Sequence, residues 1–264
     1  MRKTNFGLSF LFSLSLLSPC LAFCATSITI CTDNNFWYPF TFVKGNNIAT
    51  GLHIDIIQKA LLATGYEPKF MPMSWKDCLN LAKEGKVDAI ATASYKDDRA
   101  AYLYYPSGAA VDRKSPYRVS QVEYRVITSS INKDGSESPY VFNGNLKEIP
   151  KPVRVTESYS IITDLRKEGV TVTEGKNNLE NFKNLITEKT GSVIDLNEVA
   201  KYLSSQSDFK DKLTIQPHPL SSKSYYLAFT KGGAISLEEA EPIWKEIAII
   251  REDPKLMTEF LKKY

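Results

Sequence analysis

The chain has 264 residues, 43% of them hydrophobic and 24% charged. That is the balance of an ordinary globular protein with room for one large domain or two small ones. The formal net charge is +3, with Lys and Glu scattered along the chain, which gives no basis for binding nucleic acid or an anionic membrane surface.

Met1–Ala25 reads as a leader rather than as part of the fold. Arg2 and Lys3 form a positive start, Phe6–Leu17 an apolar stretch, and small residues follow near Ala22–Ala25. This is the pattern of a secretory signal peptide, with cleavage expected after Ala25. Loss of Arg2 and Lys3 leaves 31 basic against 30 acidic residues, a net charge of +1. No later stretch approaches the roughly 18 apolar residues of a membrane span. Lipidation needs a small residue directly before a cysteine, whereas Pro19 precedes Cys20 and Phe23 precedes Cys24, so an unlipidated product is expected. Two cysteines remain, Cys31 and Cys78. Export permits a bridge between them, but both fall in apolar segments where a free thiol serves as a small hydrophobe. Burial as free thiols is the preferred reading, a Cys31–Cys78 disulfide the alternative. The only histidines are His53 and His218, and there is no C-x-x-C. Both histidines are read as structural or surface residues, with no metal and no cofactor expected.

In chain order, Ser27–Thr32 reads as a strand ended by Asp33-Asn34-Asn35. The aromatic run Phe36-Trp37-Tyr38 that follows fits either a pocket wall or core packed under the loop. Gly51 opens a helix with a wide apolar face, Leu52 to Leu62, closed by Gly65. Tyr66–Met73 is a strand. Ser74 caps a helix carrying Trp75, Cys78, Leu79 and Ala82, ended by Gly85. Val87–Ala91 is a third strand, so the opening is a βαβαβ unit. Thr92, Ser94 and Arg99 stand just past that strand's carboxyl end, where open α/β sheets bind ligands. Hydroxyls and a guanidinium suit a carboxylate; the competing reading pairs Arg99 with Asp97 or Asp98. The pattern breaks over 107–119, and Val122–Thr128 alternates as a strand, so a first crossing to a second unit is expected near 110–121. Strands at Val153–Thr156, Val170–Thr173, Ser192–Asp195 and Leu213–Gln216 then alternate with helices from Ser160, Asn178 and Asn197. Pro217-His218-Pro219 suits the return crossing. Ser224–Thr230 is a strand, and helices from Ser236 and Asp253 close the chain.

An α/β unit inserted in another describes two lobes around a cleft: lobe 1 from 26–115 and 221–264, lobe 2 from 116–220. Each is expected to be a mainly parallel sheet flanked by helices, joined by two hinge crossings and closing on a ligand.

Four motifs carry a family resemblance. A strand ends in Asp33 before Trp37-Tyr38-Pro39-Phe40. Gly51-Leu52-His53-Ile54-Asp55 stands for Gly-Phe-x-x-Asp. Trp75 precedes Gly85-Lys86-Val87-Asp88-Ala89, and Ser94–Arg99 precedes Tyr105. Together, over Thr26–Tyr264, they resemble the periplasmic solute-binding proteins of polar amino acid ABC transporters, solute-binding protein family 3. The resemblance implies the type II two-lobe fold, a periplasmic monomer, a small carboxylate-bearing ligand and a membrane permease as partner. It also implies roles: Trp37 covers the ligand, Thr92 and Ser94 hold its carboxylate, and Arg99 pairs with it. Ser158-Tyr159-Ser160 falls at the family's Gly-Thr/Ser-Thr loop, at a helix N-terminus suited to an anion. Asn197 stands where the family usually has the Asp that neutralises an α-ammonium. Three departures mark a divergent member. Asn197 carries no charge, leaving Asp33 or Glu198 to compensate; Ser158 replaces the loop glycine; and Tyr105-Pro106 stands for Phe-Ser. The expected function is therefore binding without catalysis and delivery to a transporter. The alternatives are a dehydratase-like enzyme using Asp33, Glu157 or Glu198 as acid or base, and a ligand-sensing module with another partner.

Overall fold

The computed structural model describes residues 25–111 and 115–264; the expected leader lies outside them save for Ala25. The chain opens with β1 (Thr26–Asp33), the hairpin β2 (Phe42–Lys44) and β3 (Ile48–Thr50), α1 (Leu52–Ala63), β4 (Tyr66–Met73), α2 (Trp75–Lys83), β5 (Ala89–Ser94), the single turn α3 (Asp97–Ala100) and β6 (Leu103–Tyr104). Next come β7 (Ser120–Ser129), β8 (Val153–Thr156), α4 (Ser160–Lys167), β9 (Val172–Gly175), α5 (Asn178–Glu188), β10 (Ser192–Leu196), α6 (Asn197–Ser205) and β11 (Leu213–Ile215). The last elements are β12 (Ser221–Thr230), α7 (Leu237–Glu252) and α8 (Pro254–Leu261). No helix among the described residues is long and apolar enough to cross a membrane.

Apart from the separate β2–β3 hairpin, the strands form one curled sheet in the order β4-β1-β5-β12-β7-β10-β8-β9, with β6 added to β12 and β11 to β7. At one end β1 runs parallel to β4 and β5; at the other β8 runs parallel to β10 and β9. Two long strands join these ends. Ser221–Tyr225 of β12 pairs antiparallel with Tyr124–Ser120 of β7. β12 then continues along β5, and β7 along β10. The chain thus passes between the two halves through a pair of hydrogen-bonded strands.

Side-chain alternation divides the core into two layers. Ile28 and Ile30 of β1 and Ala89 and Ala91 of β5 pack with α1 and α7, through Ile57, Leu61, Ile243 and Ile247. Cys31, Ile90 and Ala93 face the other way, toward α2, in a layer that continues past Trp37 and Tyr225 to Val153 and Phe182 of the far half. All six residues of β5 are buried, as expected of a strand covered on both faces. Ser74 caps α2 by accepting from the Asp77 amide, and Ser236 and Glu239 form a reciprocal capping box on α7. The α1 start requires Gly51. Its φ of +119° is in the left-handed region, and a Cβ there would sit 2.3 Å from the Phe40 carbonyl oxygen.

Two differences from the sequence expectation bear on the site. Thr92 and Ser94 lie within β5 rather than beyond it. The pairing with β12 slips by one residue between Ala93–Tyr226 and Ile90–Ala228, leaving Ala91 and Thr92 opposite Leu227 as a bulge. Thr92 has φ +59°, a strained conformation for a β-branched residue. The bulge re-aims the strand end that carries Thr92 and Ser94. The second difference is that Cys31 and Cys78 form a disulfide, with Cα atoms 5.5 Å apart, and not free thiols. Cys78 is on the buried face of α2, in the same layer as Cys31, so the helix lies across the strand at bonding distance.

The bridge closes a loop with a sequence separation of 47. By chain entropy it stabilises the fold by about 4 kcal/mol. The double replacement Cys31→Ala, Cys78→Ala should lower the unfolding free energy by about that amount relative to the oxidised chain, read as a lower urea midpoint; equal midpoints would refute the bridge's role.

Candidate functional site

The carboxyl ends of β1 and β5, the aromatic loop and the start of α4 converge on one small cavity between the halves. It is lined by Asp33, Trp37, Thr41, Trp75, Thr92, Ser94, Arg99, Tyr124, Tyr159, Ser160 and Tyr225. Seven of the nine residues expected to meet a ligand are among them: Asp33, Trp37, Thr92, Ser94, Arg99, Tyr159 and Ser160.

Arg99 anchors the polar side. It is only 3% exposed. Its Nη1 donates to the Ser94 carbonyl (3.1 Å) and hydroxyl (3.0 Å), and its Nη2 donates to the Ser158 carbonyl at 3.1 Å. The guanidinium lies 5.2 Å from the centre of the Trp75 ring. The competing reading of the sequence fails here: neither Asp97 nor Asp98 pairs with the guanidinium. Asp98 instead accepts from the Arg99 backbone amide and from Lys96. Ser94 Oγ also donates to Ser160 Oγ at 2.8 Å, so the hydroxyls of the two halves meet.

Asp33 and Trp37 form the opposite side. One Asp33 oxygen accepts from the Asn35 amide (3.0 Å) and side chain (2.8 Å), and the other from the Tyr159 hydroxyl at 2.8 Å. Trp37 Nε1 donates to the same Tyr159 oxygen at 2.7 Å. The aromatic run is divided. Only Trp37 faces the cavity, while Phe36 and Tyr38 pack against Tyr202 of α6, at 5.2 and 4.2 Å between ring centres.

Two expected residues are elsewhere. Ser158 contributes its backbone carbonyl to Arg99 and has φ +64°, a left-handed turn that a serine adopts under strain. Asn197 does not line the cavity; at the start of α6 it donates to Glu198. Glu157 pairs with Lys76. Sequence reasoning missed Asp195, Lys223, and the tyrosine pair Tyr124 and Tyr225, whose hydroxyls are 2.7 Å apart. Lys223 of β12 pairs with Asp164 and donates to Ser160 Oγ at 3.1 Å. A lone acid or lysine in an apolar strand gives no spacing signal; the one available cue was that a charge at the end of a buried strand needs a reason. Among the described residues no three or more His, Cys, Asp or Glu side chains group as a metal site.

The bacterial extracellular solute-binding proteins, family 3, have a family model that matches residues 28–256. Among solved structures, a histidine kinase sensor domain similar to periplasmic binding proteins aligns with TM-score 0.71 and 15% identity, over 90% of this chain and 95% of that one. An ancestral arginine-binding protein bound to glutamine aligns with TM-score 0.66 and 20% identity, over 90% and 97%. An ancestral amino acid-binding protein, a precursor of cyclohexadienyl dehydratase, aligns with TM-score 0.67 and 15% identity, over 90% and 95%. No curated protein matches the chain in sequence. The fold is thus the two-lobe α/β architecture of periplasmic binding proteins, as the sequence led us to expect.

Burial sets the electrostatics of the site. Desolvation pushes the Asp33 carboxyl up to about 6, against the hydrogen bonds from Asn35 and Tyr159 that hold it down. Desolvation, with the Asp33 charge adding to it, pushes Asp195 up to about 7. Both folded values exceed the unfolded ones, so the stability these groups add is complete at low pH and is lost as pH rises through 6 and 7. Asp195→Asn should therefore gain on the wild type by on the order of 3 kcal/mol between pH 5 and pH 8. Urea denaturation of both chains at the two pH values measures the difference; a constant offset would refute the shift.

Proposed function

The chain belongs to the bacterial extracellular solute-binding proteins, family 3, and we propose that it captures a small zwitterionic solute, an amino acid or a near relative, between its lobes. The observation that carries this reading is the buried Arg99. A guanidinium removed from water and held only by neutral oxygens and an aromatic face is an incomplete ion pair. A solute carboxylate would complete it with charge-assisted bonds, beside the hydroxyls of Thr92, Ser94 and Ser160. The lining Asp33, with Asp195 near it, offers negative charge for an ammonium group, which Asn197 cannot.

In this reading lobe 1 comprises 26–115 and 221–264 and lobe 2 comprises 116–220. β7 and β12 flex to admit the solute and closure buries it. Met1–Ala25 directs the chain to the periplasm, where it acts as a monomer and hands its solute to the permease of an ABC transporter. No covalent chemistry is required. The enzymatic reading has one observation in its favour, a cavity carboxyl pushed up to about 6, in the range of a general acid or base. Loss of the solute from solution, with a product appearing, would decide for it.

The test is a thermal-shift panel of amino acids and small carboxylates on the mature chain, since a solute that binds only the folded form raises its midpoint. For the best binder, Arg99→Ala should weaken affinity by about 100-fold or more in calorimetry, the usual effect of removing one partner of a buried charge pair. Unchanged affinity would overturn the assignment of Arg99.

A further inference from the structure

The interlobe cavity is already filled from within. Tyr159 is 5% exposed and stands at the N-terminal boundary of α4. The left-handed turn at Ser158 precedes it directly. Its ring meets Trp37 edge-on at 5.4 Å. Its hydroxyl uses both of its bonding modes on groups of the facing lobe, accepting from Trp37 Nε1 and donating to Asp33 Oδ2. The other Asp33 oxygen is occupied by Asn35. Trp37 has only that one donor. One Asp33 acceptor and the single Trp37 donor are therefore both engaged by the chain's own phenol. The space left to a water-sized molecule is about 20 Å³, room for about one water. An amino acid does not fit beside the ring.

We propose that Tyr159 is a built-in competitor for the solute: its phenol takes the place against Asp33 that a solute's ammonium or hydroxyl group would take, and a solute binds only by displacing it. What enters rests on the solute-binding reading above; the occupancy of the cleft by Tyr159 does not. Contacts on either side of the ring support the role of a latch. Arg99 reaches the Ser158 carbonyl and Ser94 the Ser160 hydroxyl, so the residues flanking Tyr159 bind the facing lobe too. At the far edge of the seam, Asn178 Nδ2 donates to the Phe36 carbonyl at 2.6 Å. Displacing the ring breaks two hydrogen bonds to buried groups. The apparent affinity is then reduced by the fraction of molecules with the ring in place. The ring also selects: a solute succeeds only if it brings its own donor to Asp33, since otherwise Asp33 Oδ2 is left buried without a donor. A carboxylate without an ammonium or hydroxyl group satisfies Arg99 alone.

The experiment uses the mature chain, Tyr159→Ala and Tyr159→Phe, the last keeping the ring while removing both hydrogen bonds. Small-angle X-ray scattering without added solute reports the latch. The alanine variant should show a larger radius of gyration than the wild type, with the phenylalanine variant between them; equal radii for all three would overturn the proposal. Calorimetry with glycine, L-glutamate and L-arginine reports the competition. Any of these should bind the alanine variant at least tenfold more tightly than the wild type, whereas weaker binding would make Tyr159 a solute contact and overturn its role as competitor. If none binds any chain, the solute-binding reading fails and the scattering comparison still decides the latch. Circular dichroism on the variants checks that they fold.

Discussion

A guanidinium withdrawn from water with no carboxylate in reach is the constraint around which this molecule is arranged. Moving such a charge into the interior costs several kcal/mol unless its donors are satisfied, so every element near Arg99 is occupied with holding it. The bulge in β5 turns Ser94 so that its carbonyl and hydroxyl both accept from one guanidinium nitrogen. Trp75, in the first turn of α2, supplies the aromatic face. α2 is itself held to β1 by the Cys31–Cys78 bridge, one turn of helix beyond Trp75. The same strand ends in Asp33. One covalent link thus relates the cationic and anionic sides of the cavity, and a shift of α2 would disturb both.

The second half meets this arrangement through backbone as much as through side chains. The Ser158 carbonyl accepts a hydrogen bond from Arg99, and Ser158 itself is left-handed. Glycine reaches this conformation without strain, and serine does so at a cost on the order of 1 kcal/mol or more. That strain is stored in the loop that also delivers Tyr159. The seam is therefore stabilised by contacts whose geometry depends on closure, while the long strands β7 and β12, shared by both halves, keep their ladder in register on either side of it. In the proposed function these paired strands are the hinge, and opening separates the polar seam.

The regular elements were largely legible in the sequence because their signals are local. The caps at Ser74 and Ser236, the stop at Gly65 and the apolar faces of α1 and α2 fix helix type and approximate bounds. Alternating strands read as such for the same reason. What was not legible is non-local. The β2–β3 hairpin is too short for any periodicity. The bulge at Thr92 is defined only by its partner strand. The disulfide depends on how α2 crosses β1, which residue type cannot reveal. At the site, Arg99, Trp37 and Asp33 were readable because polar or aromatic residues end buried strands. Asn197 stands at a helix start, as expected, but off the cavity. The α6 start puts its amide on Glu198, and it is Asp195, two residues earlier in β10, that feels the Asp33 charge.

The burial of Asp195 in β10 bears on the chemistry. A carboxylate at a helix start is partly solvated and stabilised by the first-turn amides, and it stays ionised whatever occupies the cleft. A carboxylate near the end of a buried strand, such as Asp195, has little but the Leu196 amide to hold its charge. It is therefore sensitive to any charge that arrives. Asp33, whose partners are a phenol and an asparagine, is in the same position. In the proposed function an arriving ammonium supplies the missing counter-charge to both acids, and an arriving carboxylate supplies it to Arg99. Each incomplete group makes the others harder to satisfy singly, because ions of one sign added to this enclosed site leave the opposite ones unpaired. A zwitterion satisfies all of them at once, which is the physical reason to prefer it over a simple anion of the same size.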